Sequence, residues 1–265
     1  MATYVLVHGG GHGGWCYAKV KQRLEVAGHQ VFAPSLTGLA ERTHLLSPSV
    51  DLDMHVTDVV QLLYYWDLRD VILVGHSYGG MVITGIADRA TDRVGKLVYL
   101  DAANPRNHES LLDVAGPVIE SVRPMGEVVD GVELVLLPAT GAAAFYGVTD
   151  PSDVAWMDER LTGHPWRCFE QKLDLQNETA LWTIPQYHIV CESTLSTRDP
   201  ALIERAKSEG RLWSLDTGHD LMITEPDLVT DALIEIAAAE ATPNFSSARN
   251  DPPASSSLER ALSDD

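Results

Sequence analysis

Residues 70–88, DVILVGHSYGGMVITGIAD, join two unlike hydrophobic patterns at a single serine. Ahead of Ser77 the run Val71-Ile72-Leu73-Val74 is continuously apolar, which predicts a strand buried on both faces. Behind it Met81, Val82, Ile83, Ile86 and Ala87 recur at helical spacing. Gly75 and Gly79 stand two residues to either side of Ser77, so the stretch reads Gly-x-Ser-x-Gly. A chain that turns from strand to helix so sharply holds its serine in strained backbone. The hydroxyl then stands clear of the sheet, above a helix start whose free N–H groups favour negative charge. The pattern alone is weak; its place between a buried strand and an amphipathic helix makes Ser77 the candidate nucleophile.

Working outward, strand and helix patterns alternate. Strands are predicted at 3–8, 29–34, 71–75, 96–102 and 184–193, with a last one in RLWSLDTGH, and helices at 15–28, 51–67, 79–90, 199–208 and 225–239. In the first helix Trp15, Val20, Leu24 and Val26 form the predicted apolar side. This rhythm predicts an α/β protein, a mostly parallel sheet with helices on both faces. The rhythm breaks between 105 and 183, where short helical pieces are rich in Trp, Pro and Gly. We therefore divide the chain into a core, 1–104 and 184–240, a small and mainly helical cap insertion, 105–183, and a Ser/Pro/Asp-rich tail, 241–265, predicted to be disordered.

Composition bounds the partners. With 19 Lys and Arg against 38 Asp and Glu, the formal charge of −19 argues against nucleic acid and against an anionic membrane surface. The 3 cysteines, Cys16, Cys168 and Cys191, are scattered, without the spacing of a disulfide framework or a zinc site, so no metal is expected. The N-terminus runs straight into a predicted strand without a signal-peptide pattern, which predicts a cytoplasmic protein. No cofactor is implied: the loop Gly9-Gly10-Gly11-His12-Gly13-Gly14 loosely fits a dinucleotide fingerprint, but no acidic residue ends the second strand. A homodimer is compatible with the sequence.

A serine nucleophile needs a base and a site for the oxyanion. His219, in a loop after the last predicted strand and following Gly218, is the candidate base. The glycine loop after the first strand brings backbone N–H groups near the substrate, so Gly10 N–H pairs with Tyr78 N–H as the candidate oxyanion hole. Gly9, His12, Leu39, Trp156 and Trp182 are the candidate pocket residues, Leu39 because GLAERTH (38–44) follows the second strand. An apolar, aromatic lining suits a small-molecule ester with a hydrophobic or aromatic group.

VLVHGGGHGGWCY, GHSYGG and TGHDLMITEP resemble the α/β-hydrolase superfamily, in the branch of plant methylesterases and hydroxynitrile lyases with their bacterial esterase relatives. The resemblance covers roughly 2–239. It implies an α/β-hydrolase fold and an ester-cleaving serine hydrolase working through an acyl-enzyme, with a structural role for His12. Lyases of this branch carry Thr and Lys directly after the first-motif histidine and the catalytic histidine. Gly9 and Asp220 stand there in this chain, which favours hydrolysis. The resemblance also implies an acidic residue three positions after Cys191, where this chain has Thr194. Asp101, at the end of KLVYLDA, is the preferred acid of the Ser-His-Asp triad, and Glu192 is the alternative. A lactonase, an amidase or a non-catalytic ligand-binding protein of the same fold are the competing readings.

Overall fold

The computed structural model describes residues 1–137 and 141–239; the tail expected to be disordered, 241–265, lies outside them. Strands β1 (Thr3–Val7), β2 (Gln30–Phe32), β3 (Val71–His76) and β4 (Val94–Leu100) precede the insertion. β5 (Glu127–Val129), β6 (Val132–Val135) and β7 (His164–Pro165) lie within it, and β8 (Gln186–Cys191) and β9 (Leu212–Leu215) follow. The main sheet has 6 strands in the order β2-β1-β3-β4-β8-β9. Every neighbouring pair in it is parallel. Helices α1 (Ala18–Val26), α2 (Leu52–Tyr65) and α3 (Gly79–Arg89) belong to the first half of the core. The insertion carries α4 (Leu111–Glu120), α5 (Ala142–Phe145), α6 (Pro151–Asp158), α7 (Arg167–Glu170) and α8 (Glu178–Leu181), and the core closes with α9 (Pro200–Ser208), α10 (Leu221–Thr224) and α11 (Pro226–Ala238).

The continuous apolar runs become the centre of the sheet because helices cover both of its faces. Val5, Leu6, Val7, Leu73, Val74, Leu97 and Val98 are fully buried. α2 turns Leu52, Val56, Val59 and Leu63 inward at helical spacing, and Asp51 caps it by accepting from Met54 N–H. α3 is buried along its length from Gly79 to Asp88, so the helix that follows the serine is fixed on all sides. At the far end of the sheet Lys96 Nζ donates to the Ile236 and Ala239 carbonyls at 2.6 and 2.7 Å, holding the C-terminus of α11.

One expectation needs correction, and another gains an element. Val26, assigned to the apolar side of the first helix, is 85% exposed. α1 buries Val20 and Leu24, and Val26 lies about 200° around the helix from Leu24. The cap, expected to be mainly helical, also contains a 3-stranded antiparallel sheet, β5-β6-β7. Asp130 and Gly131, with φ of 50° and 80°, form the two-residue turn between Val129 and Val132. Such a turn requires positive φ at both positions, and Asp-Gly supplies it. The cap is tied to the core at its return: the buried Asp88 carboxylate accepts from the Gln176 and Asn177 amides at 3.0 and 2.6 Å.

Candidate active site

All the candidate catalytic groups follow the carboxyl ends of strands of the main sheet, where open α/β sheets gather their sites. Ser77 follows β3 and has φ of 53°, the left-handed region that an ordinary residue enters only under constraint. The constraint is visible: the Ser77 carbonyl accepts from Gly80 and Ala103 N–H, both at 3.0 Å. A Cβ at Gly75 would lie 2.5 Å from the Gly79 carbonyl, so the strand and the helix start can meet only as glycines. Across the turn, a Cβ at Gly9 would stand 2.9 Å from Ser77 Cβ, which puts the first glycine loop directly against the serine.

His219 follows β9, and its Nδ1 lies 2.5 Å from Asp101 Oδ2. Asp101 follows β4, is 1% exposed and has φ of 42°. Its other oxygen, Oδ1, accepts from Thr194 Oγ1 at 2.6 Å, Arg198 Nη2 at 2.6 Å and Cys191 N–H at 3.2 Å. Burial by itself would raise the Asp101 pKa. The hydrogen bond and charge of His219, then Arg198 and Thr194, outweigh it and hold the carboxyl well below the usual carboxylate range. Glu192, the alternative acid, is exposed in the turn after β8, and the carboxylate at His219 is that of Asp101. The physical reason is adjacency: β4 and β8 pair side by side, and Asp101 N–H donates to the Ile189 carbonyl at 2.7 Å. Thr194, at the position where the resemblance implies the acid, donates to the acid on the neighbouring strand instead.

The glycine loop is held by histidines. His8 Nδ1–H donates to the Gly9 carbonyl at 2.8 Å while its Nε2 accepts from Leu36 N–H at 3.0 Å. Burial pushes the His8 pKa down to about 3, so the ring is neutral. The Gly10 carbonyl accepts from His12 Nδ1–H and from the Tyr146 hydroxyl, both at 2.7 Å, and Gly11 N–H donates to His164 Nδ1 at 3.2 Å. The peptides on both sides of Gly10 are thus clamped. Among the described residues, neither Gly10 N–H nor Tyr78 N–H donates a hydrogen bond. Tyr78 turns its ring away into the interior, its hydroxyl 2.9 Å from His55 Nδ1.

His12, expected to border the pocket, does not. It is fully buried, and its second nitrogen lies 2.9 Å from Asp220 Oδ2, so both ring nitrogens are engaged within the protein. Leu39 is also fully buried. Trp156 packs edge-on against Trp15 at 5.0 Å, and Trp182 lies over the end of α8 with Nε1 3.4 Å from Glu178. The side chains that stand against Gly10 are Leu136 and Phe169, both from the cap. Leu136 was not singled out from the sequence, because nothing local marks which apolar cap residues face the first loop. The signal for Asp220, in contrast, was present: an acidic residue directly after the candidate base.

One cluster, His55, His164 and Cys168, brings potential ligand atoms within 4.8 Å of one another. Its chemistry is that of a hydrogen-bond network. His55 Nε2–H donates to the Thr37 carbonyl at 2.9 Å, and Gly11 N–H occupies the lone pair of His164 Nδ1. The proton of His164 then sits on Nε2, the nitrogen a metal would need. These residues do not fit a cation.

A parallel sheet bearing a serine on a strained turn, a carboxylate after the next strand and a histidine after the last one is the layout of a serine hydrolase built on an α/β sheet. The chain belongs to the alpha/beta hydrolase family, whose model matches residues 4–232. It is 52% identical to a carbendazim hydrolyzing esterase of Nocardioides sp. (strain SG-4G) over 112 residues, which cover 42% of this chain and 46% of that protein. It is 27% identical to methylesterase 2 of Arabidopsis thaliana over 256 residues, covering 88% of this chain and 95% of the relative. The crystal structure of the methylesterase MES16 from Arabidopsis superposes with a TM-score of 0.68 at 24% identity, covering 90% of this chain and 99% of that one. These relatives and neighbours are named as esterases and methylesterases. No helix among the described residues is long and apolar enough to cross a membrane.

Proposed function

We propose that the protein hydrolyses small carboxylic esters bearing a hydrophobic or aromatic group, through an acyl-enzyme on Ser77. The observation that carries this reading is the 2.5 Å pairing of His219 Nδ1 with Asp101 Oδ2, with the His219 carbonyl 3.0 Å from Nε2 of His76, the neighbour of Ser77 on its strained turn. Asp101 fixes the imidazole tautomer, so that Nε2 takes the Ser77 proton as the oxygen attacks the ester carbonyl. The negative oxygen of the tetrahedral intermediate is received by the Gly10 and Tyr78 amides, whose N–H groups are unspent among the described residues. His219 returns the proton to the leaving alcohol. Water, activated by the same nitrogen, then releases the acid.

Leu136 and Phe169 beside Gly10 support an apolar or aromatic ester, and the relatives' names support a short alcohol such as methanol and carbendazim as a substrate to try. The 3 cysteines are free and buried, which agrees with work in a reducing cytoplasm. The test compares wild type with Ser77→Ala on p-nitrophenyl acetate, methyl benzoate and carbendazim. Turnover with a p-nitrophenol burst in wild type, lost by roughly three orders of magnitude or more in Ser77→Ala, is the expected result. Full turnover in Ser77→Ala would overturn the reading.

A further inference from the structure

We propose that Arg198, assisted by Thr194, is a positioning residue that aims the Asp101 carboxylate at His219 and shares its negative charge. This rests on the reading of Asp101 and His219 as acid and base. The geometry divides the carboxylate in two. Oδ2 faces His219, whereas Oδ1 takes Thr194 Oγ1, Arg198 Nη2 and Cys191 N–H, all from the end of β8 and the turn after it. Arg198 Nη1 also donates to the Ala102 carbonyl at 2.5 Å, so one guanidinium grips the carboxylate and the backbone just after it. Planar, two-point binding of this kind fixes direction as well as charge.

The Arg198 side chain is 19% exposed and that of Asp101 0%, so this ion pair is weakly screened by solvent. Among the described residues Arg198 is the arginine paired with Asp101, its Nη2 2.6 Å from Oδ1. The Cys191 thiol beside it is kept neutral, its pKa pushed up by burial. On the far side of His219, Asp220 pairs with His12, and His76 is neutral because burial pushes its pKa down to about 3. A carboxylate whose second oxygen is already bound by a cation and a hydroxyl attracts the imidazolium proton less strongly. The loop that supplies the acid in the resembled pattern here supplies the groups that hold it.

The acid limb of kcat/KM for p-nitrophenyl acetate, followed from about pH 5 to pH 9, reads this directly. Arg198→Met is expected to move the limb upward by about one pH unit, a roughly tenfold loss on the limb with a much smaller loss on the alkaline plateau. Arg198→Lys retains the cation and restores most of the profile. Thr194→Val, which removes one donor and no charge, moves the limb the same way by a fraction of a unit and serves if Arg198→Met folds poorly. A limb unmoved in Arg198→Met and Thr194→Val, or an equal loss at every pH, overturns the proposal. Asp101→Asn separates the two levels. If it keeps wild-type activity the triad reading itself fails; if it is inactive while the limb stays fixed in the other variants, only the role given to Arg198 fails.

Discussion

His12 Nε2 lies 2.9 Å from Asp220 Oδ2, and neither side chain has any solvent exposure. The dipeptide His219-Asp220 therefore serves two loops. The histidine meets Asp101, and the aspartate holds, through His12, the Gly10 carbonyl of the glycine loop. Burial alone would lower the His12 pKa, but the Asp220 charge and hydrogen bond and the Gly10 carbonyl outweigh it and raise it. Burial alone would raise that of Asp220, but the charge and hydrogen bond of His12 lower it.

Breaking this pair is expected to be expensive. His12→Ala leaves a buried carboxylate without its cation and should destabilise the fold by about 3–5 kcal/mol in urea unfolding. The pH dependence has a definite sign. His12, raised, contributes fully below its unfolded value near pH 6.5 and loses that contribution as pH rises through its folded value. Asp220, lowered, contributes fully above about pH 3.9 and loses it as pH falls through its folded value. The difference between wild type and His12→Ala should peak between about pH 4 and pH 6.5; a flat difference would speak against an ion pair.

Replacing Asp101 tests the orientation of the base. Asp101→Asn keeps the shape but offers an amide to His219, and kcat should fall by roughly three to four orders of magnitude while the protein still folds. Glu192→Gln, at the exposed turn, should change kcat by less than about threefold.

Gly10→Ala probes the oxyanion loop. The added methyl would meet Leu136 Cδ1 at 2.8 Å and Phe169 Cζ at 3.1 Å, so either these side-chain ends or the clamped peptide must shift. A loss of about a hundredfold in kcat is expected from a displaced oxyanion donor. Leu136→Ala on the same background should recover part of it, and no recovery would mean that the loss has another origin.

The thiols should be inert in the native protein. Cys16, Cys168 and Cys191 are buried, and burial raises the pKa of each. Excess iodoacetamide should leave all 3 unlabelled and the esterase activity intact until denaturant is added, as read by mass spectrometry.

Much of this was legible in one dimension because the governing rules are local. A buried strand running into an amphipathic helix through Gly-x-Ser-x-Gly identifies the Ser77 turn, and the alternation of patterns identifies the parallel sheet. The Asp130-Gly131 hairpin was equally local, yet its strands are short, and Val128 is 71% exposed, so no buried alternation announced it. The exposure of Val26 was also within reach, from its angular position relative to Leu24.

What the chain order determined by itself is which residues end strands: Ser77 after β3, Asp101 after β4, His219 after β9. What only the tertiary structure decided is which of them meet. The pairing of Asp101, rather than Glu192, with His219, the engagement of Thr194 and Arg198 with that carboxylate, and the union of His12 with Asp220 across 208 positions all follow from strand order and register in the folded sheet. Hydrogen bonds and ion pairs act over a few ångströms, and residues so distant in sequence come that close only when β1, β4, β8 and β9 are set side by side or nearly so.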